Sequence, residues 1–212
     1  MEPAPVKARV LVVVSGLPAS GKTTVGRLLS ERLSMPLIDK DAILEAMFDS
    51  LGCQDRDERS RLSRASDEVL YTLAETSHAA VLVNWWDHDS SPTRLRSITS
   101  SLVEVFCDCP VEVAAARFEA RRRHPGHHDP DRSPEEIEKA VRRLGDSFRG
   151  PLRVGDLIRI DTNAPLDADS VTEQVRSALA AGSSHRPQDG LPQAVDPRRI
   201  LGGWTSTSRS KP

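Results

Sequence analysis

Short, almost continuous apolar runs alternate with amphipathic segments along this chain. Runs in which nearly every position is apolar are typical of strands that are covered on both faces, as in a parallel sheet. Five such runs predict strands, at Arg9–Ser15, Pro36–Asp39, Ala79–Trp85, Leu102–Cys107 and Leu157–Asp161. Helical patterns between them predict a doubly wound, three-layer α/β fold with a mostly parallel five-stranded sheet and helices on both faces.

The predicted helices follow from the spacing of apolar positions and from capping residues. Ser133-Pro134-Glu135-Glu136 is a capping box with proline at the first helical position. The helices are expected to run from the loop after the first strand to Leu33, over Asp41–Leu51, Asp55–Ser77, Thr93–Ser101 and Val111–Arg123, from Ser133 to Phe148, and from a cap at Asp167 or Asp169 to Gly182.

The domain organisation follows from where this pattern stops. Residues 1–182 are predicted to form one domain, with a small lid at about 121–133. Proline, glycine, serine and charged residues dominate 183–212, so this tail is expected to be mostly disordered.

Composition narrows the class of protein. A net charge of -2 argues against nucleic-acid binding by bulk electrostatics. The chain has no apolar run of the ~20 residues that a membrane helix needs, and no secretory signal is evident. Three cysteines without paired CxxC spacing suggest a reducing, cytoplasmic setting. We expect a monomer or a homodimer that does not bind a membrane.

The strongest motif follows the first predicted strand. The residues Gly16, Leu17, Pro18, Ala19, Ser20, Gly21, Lys22 and Thr23 match GxxxxGK[ST] between a strand and a helix, with Thr24 directly after. Gly16 and Gly21 allow backbone N–H groups to point at phosphate oxygens. Lys22 supplies a cation for the β- and γ-phosphates, and the Thr23 hydroxyl is a ligand for Mg²⁺. This motif predicts binding of ATP with Mg²⁺.

Two acids follow the second predicted strand. Ligands of an open α/β sheet bind beyond the carboxyl ends of its strands. Asp39 and Asp41 could therefore accept a proton from a substrate hydroxyl or orient Mg²⁺, Asp41 being the stronger candidate. Either residue could instead cap the helix that starts near Ala42.

The third predicted strand ends in Asn84-Trp85-Trp86-Asp87. An acid directed at Mg²⁺ is expected here, and because the strand ends in Asn84, Asp87 or Asp89 is the further metal candidate. Trp85 and Trp86 could stack on a ring or sugar face of the substrate. The alternative is that one tryptophan packs in the core and that the acids are solvated.

A basic cluster stands where a lid would lie. Arg117 and Arg121 are four residues apart on a predicted helix, and they lead into a polar loop at 124–132. Arginines of a mobile lid can neutralise the charge of a transferring phosphoryl group. The alternative is a solvated helix end. The lid histidines match no standard zinc spacing.

The segments GLPASGKTT, DKDAILEA and CPVEVAAARFEARRRHPGHHD together resemble the small P-loop kinases, a group that includes relatives of shikimate kinase, gluconate kinase, chloramphenicol phosphotransferase and polynucleotide-kinase-like proteins. The resemblance covers roughly the first 180 residues. It implies the P-loop NTPase fold, with Lys22 and Thr23 on ATP·Mg²⁺, Asp41 near the acceptor or metal, and Arg117 and Arg121 in the lid. The stretch NWWDHDS departs from the pattern, because relatives often carry a clearer acid or a small-residue turn there.

The predicted function is transfer of the γ-phosphoryl group of ATP to a hydroxyl of a small molecule. The alternatives are a polynucleotide 5′-hydroxyl kinase and a regulatory, non-kinase ATP-binding protein. The sequence has no Asn-Lys-x-Asp tetrapeptide of the kind that selects guanine in GTPases.

Overall fold

A computed structural model describes residues 9–128, 143 and 148–184 of the chain. Most of the predicted helix from Ser133 to Phe148, the lid beyond His128 and the tail beyond Ser184 lie outside the described residues.

The described strands form one parallel sheet. They are β1 (Val10–Gly16), β2 (Leu37–Asp39), β3 (Ala79–Val83), β4 (Ser101–Asp108) and β5 (Asp156–Asp161). Their order is β2-β3-β1-β4-β5, and every pairing is parallel. The strand that carries the phosphate-loop motif is therefore central, and the predicted α/β fold with a five-stranded sheet is confirmed.

Six α-helices occur in the described part of the chain. They are α1 (Lys22–Leu33), α2 (Lys40–Leu51), α3 (Arg56–Thr76), α4 (Ser91–Ile98), α5 (Val111–Ala120) and α6 (Ala168–Ser184). A short 3₁₀ helix at Pro125–His127 follows α5. Of the two predicted caps of α6, Asp167 accepts a hydrogen bond from the N–H of Ser170 at 3.0 Å. No described helix is long and apolar enough to cross a membrane.

Alternate residues of the central strand bury their side chains on opposite faces of the sheet. Leu11 and Val13 pack in a cluster with residues of α3 and α4, whereas Val12 and Val14 pack with residues of α1 and α6. All four side chains are fully buried. Because both faces of this strand are covered, polar side chains are disfavoured at every position, which explains the continuous apolar run.

Several predicted boundaries differ from the structure. The helix expected over Thr93–Ser101 spans Ser91–Ile98, and Ser101 instead begins β4. Two other differences lie near the candidate site. The strand expected to reach Trp85 ends at Val83, where the ladder is completed by Asp39 of β2 and Val14 of β1. The helix expected to reach Arg123 ends at Ala120, because Arg121 has an extended backbone with φ -81° and ψ 141°. In both cases the residues after the element, 84–85 and 121–123, have no regular secondary structure and lie close to the carboxyl edge of the sheet.

One polar side chain lies deep in the sheet. Glu104, in the middle of β4, is fully buried. Its carboxylate accepts hydrogen bonds from the Ser15 hydroxyl and from the N–H groups of Leu152, Arg153 and Val154. These donors satisfy the carboxylate and fix the segment that leads into β5, so Glu104 is structural.

Candidate active site

The phosphate loop (residues 16–23) joins the end of β1 to the start of α1. Ala19 and Gly21 both have positive φ, 60° and 95°. This backbone turns the loop back on itself, and the N–H of Ser20 donates to the carbonyl of Leu17 at 3.1 Å. Glycine at position 21 adopts the left-handed conformation without steric cost. The loop thus has the conformation that a phosphate cradle requires.

The first turn of α1 lacks the acceptors that usually satisfy a helix N-terminus. Gly21 is its cap residue and makes no side-chain capping bond, and the first turn has no acidic residue. The N–H groups at this end and the helix dipole together favour an anion. A phosphate group fits this site by charge and by hydrogen bonding.

Lys22 lies folded over the same loop. Its Nζ donates to the carbonyls of Gly16 at 3.1 Å and Leu17 at 2.7 Å. Burial lowers the pKa of Lys22 to about 8, and the nearby carboxylates of Asp41 and Asp39 offset only part of that effect. A desolvated ammonium with carbonyl partners is a cation prepared for an anionic ligand.

The two acids after β2 have separate tasks. Asp39 is buried and caps α2 by accepting from the N–H of Asp41 at 3.0 Å. Burial raises the pKa of Asp39, and the neighbouring Thr23 side chain opposes part of that rise. Thr23 and Asp39 thereby bring a hydroxyl and a carboxylate together, a donor set that suits Mg²⁺ beside phosphate oxygens.

Asp41 faces the cavity rather than the helix end. Its Oδ2 lies 3.2 Å from a guanidinium nitrogen of Arg123, and the Asp41 side chain is 47% exposed. Burial raises the pKa of Asp41, but the charges of Arg123 and Lys40 outweigh it and hold that pKa below its usual value. Asp41 is therefore an ionised carboxylate at neutral pH.

The residues after β3 point in different directions. Trp85 is 43% exposed and lines the cavity, with the Lys22 Nζ 6.0 Å from its ring centre. Trp86, grouped with it as a substrate candidate, lies in the core because its indole N–H donates to the carbonyl of Val14. Asp87, the low-ranked metal candidate, is exposed outside the cavity and accepts three hydrogen bonds from Asp89 and Ser90.

The arginines of α5 and the residues after it reach different parts of the site. Arg117 donates to the carbonyl of Thr162, after β5, at 3.0 Å. Arg121 lies over the ring of Phe118, 4.6 Å from its centre. Arg123 pairs with Asp41. Arg117 and Arg121, the two arginines of the lid hypothesis, both line the cavity, and Arg123 contacts the acid.

These groups surround a single cavity of about 700 Å³. Its lining includes two acids, Asp39 and Asp41, together with six basic side chains: Lys22, Lys40, Arg59, Arg117, Arg121 and Arg123. Within residues 9–128, 143 and 148–184, no group of three or more His, Cys, Asp or Glu side chains could hold a metal ion by itself. A metal at this site would therefore share its coordination with phosphate oxygens.

Three basic residues of the lining were not among the sequence candidates for the site. Lys40 is buried and donates to the Ser63 hydroxyl of α3 at 2.6 Å, and Arg59 lies one turn earlier on α3. Arg123 is the third. For Arg123, the sequence signal was the run Arg121-Arg122-Arg123, and this run does not show which arginine faces the acid.

Comparison with known proteins places this geometry in a family. The family profile described as an AAA domain matches residues 11–151. A solved structure from Chloroflexus aurantiacus J-10-fl, provisionally assigned as a kinase, has 30% sequence identity and a TM-score of 0.70, over 81% of this chain and 98% of that one. The chain therefore belongs to this AAA domain family and, within it, to the small P-loop kinases.

Shikimate kinases recur among the relatives. The enzyme from Acinetobacter baumannii, solved with shikimate, shares the fold at a TM-score of 0.55 and 19% identity, over 82% of this chain and 95% of that one. Shikimate kinase from Paracidovorax citrulli is 39% identical over 64 residues, which are 29% of this chain and 35% of that enzyme. Shikimate kinase from Symbiobacterium thermophilum is 57% identical over 35 residues, 16% of this chain and 20% of that enzyme. The chain thus aligns with only about a third or less of these two relatives.

Proposed function

We propose that this protein is a kinase that transfers the γ-phosphoryl group of Mg·ATP to a hydroxyl of a small molecule. The observation that carries the proposal is that the phosphate loop and the ionised Asp41 line one cavity. A volume of about 700 Å³ suits a nucleotide phosphate chain and a small acceptor, within the ~300–1,000 Å³ that is usual for ligand pockets.

The donor end of the cavity (residues 16–24) binds the nucleotide in this proposal. Backbone N–H groups of the loop and of α1 hold phosphate oxygens, and Lys22 turns from its carbonyl partners to the β- and γ-phosphates. Thr23 and Asp39 would hold Mg²⁺, Asp39 acting directly or through water. When bound, Mg²⁺ neutralises charge that builds up on the phosphoryl oxygens.

The acceptor end (Asp41, Arg59, Ser63, Trp85 and Arg123) holds the hydroxyl compound. Asp41 accepts a hydrogen bond from the hydroxyl and takes its proton as the new P–O bond forms. An Asp carboxylate is a weak base, which is sufficient because the proton becomes acidic only late in a loose transition state. The exposed face of Trp85 supplies a flat apolar wall against which a substrate ring can lie.

The arginines divide between the two ends. Arg117 is tied to the carbonyl of Thr162, whose side chain lies 3.8 Å from the Cβ position of Gly21, and so belongs to the donor end. Arg123 belongs to the acceptor end through Asp41. The charge of Arg121 lowers the pKa of Lys22, so this arginine is close to the donor end as well. We assign it to the phosphoryl group, whose negative charge it can neutralise during transfer from the donor to the acceptor.

The decisive experiment is ³¹P NMR of the purified protein with Mg·ATP and pooled sugars, cyclitols, hydroxy acids, nucleosides and aminoglycosides. A new phosphomonoester signal is expected, absent with Lys22→Ala and retained with Arg27→Ala, whose side chain is exposed on α1. Dividing the pool then identifies the acceptor. ADP with inorganic phosphate alone across all pools, or a new signal that survives Lys22→Ala, would contradict the proposal.

A further inference from the structure

The residues directly after Arg123 are docked tightly on α2. This histidine turn (residues 124–128) packs on the ring of Phe48. His124 stacks on that ring at 5.4 Å, and His127 meets it edge-on at 5.2 Å. A Cβ at Gly126 would lie 2.5 Å from two atoms of the same ring. The backbone at Gly126 therefore packs directly against the Phe48 ring, with no room for a side chain between the turn and α2.

Two hydrogen bonds join the turn to acids of α2, and the Cys53 thiol adds weaker contacts with the Gly126 carbonyl at 3.5 Å and the His128 ring at 3.6 Å. The Nε2 of His127 lies 3.0 Å from the Glu45 carboxylate, and the Nε2 of His124 lies 3.0 Å from that of Asp49. Asp49 is 73% exposed, so its pair contributes little. The His127 side chain is fully buried, which makes its bond to Glu45 the one that orients the turn.

The chemical state of His127 follows from its surroundings. Burial and then the charge of Arg123 lower the pKa of His127, so the ring is neutral at pH 7. A neutral ring beside a carboxylate carries its proton on Nε2 and donates it to Glu45. Its Nδ1 is buried and has no hydrogen-bond partner among the described residues. The ring is therefore held by Phe48 and by one directional bond.

The same face of α2 also carries the acid of the candidate site. Asp41 and Glu45 are four residues apart on α2, so they lie one turn from each other. Arg123 contacts the first and His127 contacts the second. Arg123 and its neighbours up to His127 thus run along α2, and the side chain of Arg123 is only 13% exposed.

We propose that His127 is a positioning residue, which holds Arg123 against Asp41 by docking the histidine turn on Glu45 and Phe48. This role rests on the proposed function, since it assigns the Asp41–Arg123 pair to the acceptor hydroxyl. His127 itself makes no contact with the reacting atoms. A loose turn would let Arg123 leave Asp41, and the charge arrangement at the acceptor end would be lost.

Four variants separate the docking bond from packing. His127→Phe keeps the ring and removes the Nε2–H donor, and Glu45→Ala removes its acceptor. His127→Gln keeps a donor at a similar reach and should rescue the bond. His78→Ala is the matched control, because His78 is exposed just before β3.

The first readout does not need turnover. Solvent exchange of the Arg123 Nε–Hε proton, assigned with Arg123→Lys and followed by ¹⁵N NMR, reports how firmly Arg123 is held. We expect it to be ~10-fold or more faster in His127→Phe and Glu45→Ala, and near wild type in His127→Gln and His78→Ala. Unchanged exchange in His127→Phe overturns the inference, whether or not the protein proves to be a kinase.

The second readout tests the link to the reaction. With the acceptor found by ³¹P NMR, His127→Phe should lower kcat by ~10-fold and leave the KM for ATP within about twofold. In an Arg123→Ala background the same change should have almost no further effect, because both substitutions remove one arrangement. Multiplicative losses would show that His127 acts apart from Arg123 and would overturn the inference. If the wild-type protein has no Lys22-dependent turnover, the proposed function fails. The exchange measurement alone then tests whether His127 holds Arg123 in place.

Discussion

The donor end of the cavity is built mainly from consecutive residues, to which Asp39 and Arg117 are added, whereas the side chains of the acceptor end come from several different parts of the chain. Residues 16–24 run from the last residue of β1 into the first turn of α1 and present mainly backbone groups and one lysine. The acceptor end combines Asp41 of α2, Arg59 of α3, Trp85 after β3 and Arg123 after α5. A site made of local backbone is dictated by a short motif, while a site made of distant side chains can change one residue at a time.

Removing the lysine of the donor end should have the largest effect. Lys22→Ala takes away the cation nearest the phosphates, and single electrostatic groups of this kind contribute ~10²-fold or more to turnover. We expect kcat/KM to fall by at least about 100-fold. Steady-state kinetics with the identified acceptor measures it, and thermal unfolding checks that the variant is folded. Activity within tenfold of wild type would contradict the assigned role of the donor end.

The acid of the acceptor end should come next. Asp41→Asn keeps the shape of the side chain and removes the proton acceptor, so kcat should fall by ~10–100-fold. The Kd for ATP should stay within about twofold. Asp87→Asn is the matched control, since Asp87 caps a turn outside the cavity. If Asp41→Asn only lowers the melting temperature, Asp41 supports the start of α2 and performs no chemistry.

The two outer arginines should separate the ends kinetically. Arg117→Ala is expected to raise the KM for ATP by ~10-fold with a smaller change in kcat, because Arg117 is tied to Thr162 beside the phosphate loop. Arg123→Ala should mainly lower kcat and raise the KM for the acceptor. Equal profiles for both variants would mean that the cavity is not divided as proposed.

The smallest expected effect is the uptake of a proton by Lys22 when Mg·ATP binds. The pKa of Lys22 is about 8 because burial disfavours its charge, so most of the population is neutral at pH 8.5. A bound triphosphate favours the ammonium and raises this pKa, so Mg·ATP binding at pH 8.5 should take up about half a proton or more. Calorimetry in two buffers of different ionisation enthalpy measures the uptake. It should disappear at pH 6.5, where Lys22 is already charged, and in Lys22→Met.

By the same linkage, the protein without nucleotide should gain stability as the pH rises from about 8 towards 10.5, because the unfolded chain then binds more protons at Lys22 than the folded one. Lys22→Met should lack this gain. A pH dependence equal in the two proteins would show that Lys22 is not desolvated.

Features made by neighbouring residues could be predicted from the sequence, whereas contacts between distant residues could not. The phosphate loop, the parallel sheet and the position of Asp41 follow from contiguous patterns, so they were accessible from the chain alone. The pairing of Arg123 with Asp41 joins residues 82 apart, and nothing local distinguishes Arg123 from Arg121 or Arg122. Likewise, adjacent tryptophans give no sign that Trp86 bonds to the Val14 carbonyl while Trp85 faces the cavity.

Glu104 carries a consequence for the order in which the chain matures. Its carboxylate joins Ser15, 89 residues earlier, to Leu152, 48 residues later. A nascent chain that has not yet supplied residues 152–154 would leave the carboxylate of β4 without its N–H donors, next to the strand that bears the phosphate loop. Contacts so distant in sequence form late, because loop closure must precede them. We therefore expect that nucleotide binding appears only after the segment before β5 has emerged from the ribosome, although the whole phosphate loop is made long before that segment.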